Sequence, residues 1–142
     1  MGSILSIDYG TKRIGLAISD PSRNFAFPCG VIQNKGLKYV LFCISDIVTQ
    51  KEIDLILVGV PYDHRTKKAS KGKESMEETV CKFIEQLKKE IKVPIETIDE
   101  SLSSFAAEEK LKETMSSKDL KKFVDQEAAR LLLEEFIQKA KS

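Results

Sequence analysis

The first apolar run of the chain, Ile4-Leu5-Ser6-Ile7, ends on Asp8, and a second, Ile14 to Ile18, follows after a short polar link. Residues 3–9 and 14–19 therefore predict two strands joined through Gly10-Thr11-Lys12-Arg13, a link short enough to make them an antiparallel hairpin. A third strand is expected over 25–33, with Pro28 and Gly30 marking it as an edge or a bulged strand. Leu37, Val40, Leu41, Ile44, Ile47 and Val48 recur at three and four residues and predict a helix over about 36–51. The run 53–60, IDLILVGV, has no polar break after Asp54, the pattern of a strand buried on both faces. Ser75 and Glu78 form a capping box ahead of a helix carrying Val80, Phe83, Ile84, Leu87 and Ile91. A fifth strand over 93–99 follows, then a helix from Ser103 or Ser104 to about Met115, and a last helix to about Lys139.

This order, β-β-β-α-β-α-β-α-α, places three hairpin-linked strands before two reached by helical crossovers. Such crossovers are right-handed and give parallel neighbours. The expected fold is α/β, a five-stranded mixed sheet with strand 2 antiparallel and helices on both faces. Phe25 and Phe27 are expected in the core, as are Cys43 and Cys81.

Composition bounds this picture without redirecting it. A chain of 142 residues, 42% hydrophobic and 32% charged, suits one globular domain, 1–142, with no need of a disulfide or structural metal. The formal net charge of +1 neither favours nor opposes nucleic acid, so a polyphosphate partner would need a local basic patch. Cys29, Cys43 and Cys81 are far apart and form no zinc-type spacing, which points to a reducing compartment. No leader and no span of about 20 apolar residues is seen, so a cytoplasmic protein without membrane contact is expected.

Carboxylates provide the candidate chemistry. Asp8 ends a strand expected at the sheet centre, Asp99-Glu100 end the fifth strand, and Asp125 lies on the last helix. Ala128, Ala129, Leu132 and Phe136 share the helical face of Asp125, so this acid is aimed at the sheet, and the two alanines permit a close approach. A buried carboxylate is costly unless paired, hydrogen-bonded or bound to metal. One such residue reads as a cap or a salt bridge; three that converge on one sheet edge read as a site. Oxygen-only ligands suit Mg²⁺ or Mn²⁺, ions that act on phosphates.

The stretches IDYGTKRIGLAISD, LILVGVP, IDESLSSFAAEEKL and VDQEAARLLLEEFI resemble the four sequence blocks of the YqgF family. Its members are similar to Holliday-junction resolvases, have an RNase H-like fold and are described as nucleases that process pre-16S ribosomal RNA. The resemblance implies the strand order 3-2-1-4-5 and metal-binding, catalytic roles for Asp8, Glu100 and Asp125, with Asp99 secondary. Two blocks depart from the family pattern: Ser101 stands where arginine is usual, and the loop 62–75 is altered.

Around these acids, Lys12 and Arg13 in the first turn and Arg65, Lys67, Lys68, Lys71 and Lys73 in the loop after the fourth strand are candidate phosphate contacts. Tyr9 and Tyr62, each just beyond a strand, are candidates for stacking on a base, Tyr9 equally for the core. The expected activity is a Mg²⁺- or Mn²⁺-dependent phosphodiesterase on structured nucleic acid. RNA is favoured by the resemblance alone, junction DNA is the alternative substrate, and a non-catalytic binding module in ribosome assembly is the alternative class. An ATPase of the sugar-kinase type shares the Asp-x-Gly-Thr pattern but closes two such domains around its nucleotide, and this chain has room for one. The sequence sets no oligomeric state.

Overall fold

A computed structural model describes residues 2–62, 75–100 and 118–141. The strands are β1 (Ser3–Asp8), β2 (Arg13–Ser19), β3 (Ala26–Gln33), β4 (Ile53–Val60) and β5 (Ile95–Asp99). The helices are α1 (Leu37–Gln50), α2 (Met76–Glu90) and α3 (Lys118–Lys141). The helix expected over 103–115 and the loop cations Arg65, Lys67, Lys68, Lys71 and Lys73 lie outside the described residues, as does Ser101.

The strands form one sheet in the order β3-β2-β1-β4-β5, as anticipated. β1 pairs antiparallel with β2 and parallel with β4, β2 pairs antiparallel with β3, and β4 pairs parallel with β5. β1 is thus the central strand, buried along its whole length. β3 is an edge strand whose register slips between Leu16 and Ala17, which pair with Gly30 and Pro28, so the bulge sits at the proline and glycine that announced it.

Side chains alternate across the sheet, and the two faces have different partners. Leu5, Ile7, Ile14, Leu16, Ile56, Val58 and Val60 pack against Val40 and Ile44 of α1 and Val80, Phe83, Ile84 and Leu87 of α2. Ile4, Ala17, Leu55, Leu57 and Ile98 pack against Ala128, Ala129, Leu132, Leu133 and Ile137 of α3. The Ser75 hydroxyl accepts a hydrogen bond from the Glu78 amide at 3.2 Å, so the predicted cap starts α2.

Three apolar expectations fail. Phe25 and Phe27 are 65% and 50% exposed, and Cys81 is exposed. The phenylalanines lie at the start of an edge strand, which has a neighbour on one side only. Cys81 follows Val80 on α2, and one step along a helix turns a residue about 100° away from its neighbour's direction.

Candidate active site

Asp8 shares a face of β1 with Ile4 and Ser6, the face that α3 covers. The Ser6 hydroxyl donates to the Ala129 carbonyl at 2.8 Å, tying the strand to the helix directly below the acid. Asp8 is 6% exposed and Asp125 is 1% exposed, the two most buried acids among the described residues.

Two glycines flank Asp8 and explain how other acids come near it. On one side, Asp8 pairs with Gly15 of β2. A Cβ at residue 15 would collide with the carbonyl oxygen of Asp125, so the backbone of α3 rests on the bare strand at this point. On the other side, Ile7 pairs with Val58, which brings Gly59 level with Asp8 along β4. A Cβ at residue 59 would lie 2.7 Å from Glu100 Oε2 and 2.6 Å from Leu132 Cδ1. The Glu100 carboxylate therefore lies over β4 on the α3 face, and its Oε2 is buried. A glycine within a strand commonly marks such a close approach, a signal present in the sequence at both positions and missed there.

Alternation also separates the two acids that end β5. Ile98 belongs to the cluster under α3. Asp99 pairs with Val60 and shares the other face with it, whereas Glu100, just past the strand, reaches Gly59 on the α3 face. The secondary candidate is thus on the side away from Asp8 and Asp125.

The basic candidates divide. Lys12 is exposed, and its carbonyl accepts from the Asn34 amide at 2.9 Å, joining the β1–β2 turn to the segment after β3. Arg13 instead turns inward. Its Nε donates to Asp125 Oδ2 at 2.6 Å, linking residues 112 positions apart. Sequence reasoning named both partners but not this pair. Gln126 was also missed; its Oε1 accepts from the Gly30 amide at 3.0 Å, holding α3 to the edge strand.

The two tyrosines belong to the opposite face of the sheet. Tyr9 and Tyr62 both pack against the apolar cluster under α1 and α2, with the Tyr9 ring centroid 4.4 Å from that of Phe83. The Tyr62 hydroxyl lies 3.3 Å from Thr97 Oγ1.

The structure therefore gathers Asp8, Glu100 and Asp125 on one face at one end of the sheet. Among the described residues, no three of His, Cys, Asp or Glu stand close enough as they are to hold a metal ion. Also among the described residues, no helix is long and apolar enough to cross a membrane.

A family model described as RuvX, Holliday junction resolvase, matches residues 2–139. A protein of Maridesulfovibrio salexigens named "Putative pre-16S rRNA nuclease" is 35% identical over 139 residues, covering 96% of this chain and 98% of that protein. A protein of the same name from Chlorobium chlorochromatii is 38% identical over 142 residues, covering 97% and 96%. Among solved structures, RuvC of T. thermophilus in complex with a Holliday junction substrate superimposes with a TM-score of 0.60 at 10% identity, covering 100% of this chain and 97% of that one. The fowlpox virus resolvase with its substrate Holliday junction DNA gives 0.57 at 14% identity, covering 99% of each chain. At such low identity these structures establish the fold, an RNase H-like sheet.

Proposed function

The chain belongs to the RuvX family of Holliday junction resolvases, and from that premise we propose that it is a nuclease: a Mg²⁺- or Mn²⁺-dependent phosphodiesterase whose substrate is structured RNA, the 5′ region of pre-16S rRNA. The observation that carries this reading is the approach of Asp125 and Glu100 to Asp8 across Gly15 and Gly59. Strand order, glycine placement and the close seating of α3 all serve to bring acids together where a core would otherwise be apolar. Carboxylates brought close together in a low-dielectric crevice repel one another, and positive charge, from a side chain such as Arg13 or from a bound cation, offsets that repulsion.

The donor set fits a hard divalent ion, since every candidate ligand is a carboxylate oxygen. Asp8, Glu100 and Asp125 would hold it, with side-chain movement inside the crevice to close the cage. Asp99 faces away and is left outside this set. Such an ion supplies charge neutralisation at the phosphate and a lowered pKa for the attacking water. The chain's own part is orientation. The buried floor of Ile4, Leu57 and Leu132 excludes water from one side of the acids, and β1 and α3 fix the backbones of Asp8 and Asp125. Lys12, exposed in the turn that follows Asp8, would meet the phosphate backbone, and the cations of 65–73, which lie outside the described residues, would take the same role.

RNA is preferred to DNA because the relatives at 35% and 38% identity carry the rRNA nuclease name over nearly their full length. We further read residues 1–142 as one domain acting in the cytoplasm. The test is direct. Purified protein with Mn²⁺ is expected to cleave a transcript spanning the 5′ end of pre-16S rRNA, and Asp8→Asn to lower that rate by about 100-fold or more while sparing binding. Preferential cutting of a four-way DNA junction would instead make it a resolvase. Binding to either substrate without metal-dependent cleavage would make it an assembly module.

A further inference from the structure

We propose that Arg13 is a positioning residue for Asp125: its side chain sets the orientation in which that carboxylate meets a divalent ion. This rests on the nuclease reading above. Arg13 begins β2 on the α3-facing side, in step with Gly15 and Ala17. Gly15 fixes the backbone of Asp125 by letting its carbonyl rest on the strand. Two residues earlier, Arg13 Nε grips Oδ2 of the same aspartate at 2.6 Å. One strand thus constrains both the main chain and the side chain of one acid. Fixing Oδ2 fixes the plane of the carboxylate, and with it the direction of the buried Oδ1.

A pair of this kind is poorly explained by stability alone. The Arg13 side chain is 20% exposed and that of Asp125 is 1% exposed. Removing two charges from water costs about as much as their attraction returns, and apolar residues of similar size often do as well. A phosphate contact does not account for the directed Nε–H, which is given to Asp125 rather than to solvent. Partners that orient metal-binding carboxylates are a common requirement, and losing one costs roughly 10–100-fold in metal affinity or activity. The guanidinium also offsets one negative charge where three acids approach, which lowers their mutual repulsion before any ion arrives.

Arg13→Lys separates the possibilities, because it keeps the charge and loses the planar, directed Nε–H. Calorimetry with Mn²⁺ alone, on the full chain without nucleic acid, is expected to show affinity about 10–100-fold weaker than in the unmodified protein. The rate constant kcat at fixed Mn²⁺ should fall with it, while KM for RNA stays within about twofold. In an Asp125→Asn background, Arg13→Lys should add almost nothing, since both act on one carboxylate. If Arg13→Lys does not fold, Arg13→Gln takes its place with the same outcomes. A higher KM with a shallower salt dependence, at unchanged kcat and Mn²⁺ affinity, would make Arg13 a phosphate contact and overturn the proposal. A lower melting temperature as the only change would make it a strut and overturn it equally. Unmodified protein that neither binds Mn²⁺ nor cleaves RNA would defeat the nuclease reading, and this inference with it.

Discussion

The two faces of the sheet are built from different alphabets. Under α1 and α2 every buried residue of the cluster is a large aliphatic or phenylalanine. Under α3 the strands present Ser6, Asp8, Arg13, Gly15, Ala17, Ser19 and Gly59 among a few aliphatic residues. The first face derives its stability from apolar area, at about 25 cal/mol per Å². The second gives up side-chain volume so that a helix backbone can touch the sheet, and several of its polar groups are met by hydrogen bonds between elements. Ser6 donates to the Ala129 carbonyl, Ser19 Oγ accepts from the Ile4 amide at 2.8 Å, and the Gly30 amide donates to Gln126. The lesson is a division of labour. One face makes the molecule fold, and the other spends packing on bringing charged groups together.

That contrast can be broken by substitution. The largest effect on stability is expected from Phe83→Ala on the apolar face, a loss of about 3–5 kcal/mol in denaturant unfolding. Cleavage per folded molecule should be nearly unchanged, since Phe83 lies across the sheet from the acids. Comparable loss of specific activity in this variant would show that the faces are not separable.

Gly15→Ala makes the opposite demand. The added methyl group must displace the Asp125 carbonyl, at a cost of about 1–3 kcal/mol for an overpacked contact. Here the activity of the folded fraction should also drop, because the carboxylate moves with its backbone. Urea titration and single-turnover cleavage on one sample report both numbers. Gly15→Ala with full activity would mean that α3 can slide without consequence for the site.

Ser6→Ala is expected to cost less, about 1 kcal/mol, the net worth of one intramolecular hydrogen bond. Its companion on the other face, Ile7→Val, should cost about 0.5–1.5 kcal/mol through lost packing. Urea midpoints for the pair compare a polar tie with an apolar contact on adjacent residues of one strand.

The smallest effect lies outside both faces, in the turn between β2 and β3. The hydrogen bond from the Ser22 hydroxyl, followed by that from the Phe25 amide, lowers the Asp20 carboxyl from 3.8 to about 2. A depressed carboxyl pKa adds stability that is fully present above the unfolded value and is lost as pH falls toward the folded one. The window is therefore about pH 4 down to 2. Asp20→Asn should flatten the acid limb of the stability profile there and leave it unaltered near neutrality, as followed by circular dichroism. An unchanged acid limb would show that the turn is not held by this carboxylate.

Much of the fold was legible because its determinants are local. Period-two and helical spacing marked each described strand and helix to within about two residues, the usual fraying at element ends. The Ser75 cap and the bulge at Pro28 and Gly30 follow from residue chemistry within a few positions. The strand order came from likeness to a family and matched. The errors, Phe25, Phe27 and Cys81, share a cause: an apolar side chain identifies a candidate for burial but not whether another element arrives to cover it.

By itself the sequence determined which segments pair or coil, that β1 ends on a carboxylate, and which face of the last helix carries Asp125. Local spacing fixes these, since each depends on residues within a turn or a strand of one another. Tertiary structure alone decided that Asp125 rests on Gly15, that Glu100 lies over Gly59, and that Arg13 holds the acid 112 positions away. Such contacts are set when distant segments dock, and the side chain that makes room for them is one that is missing, which no periodicity records.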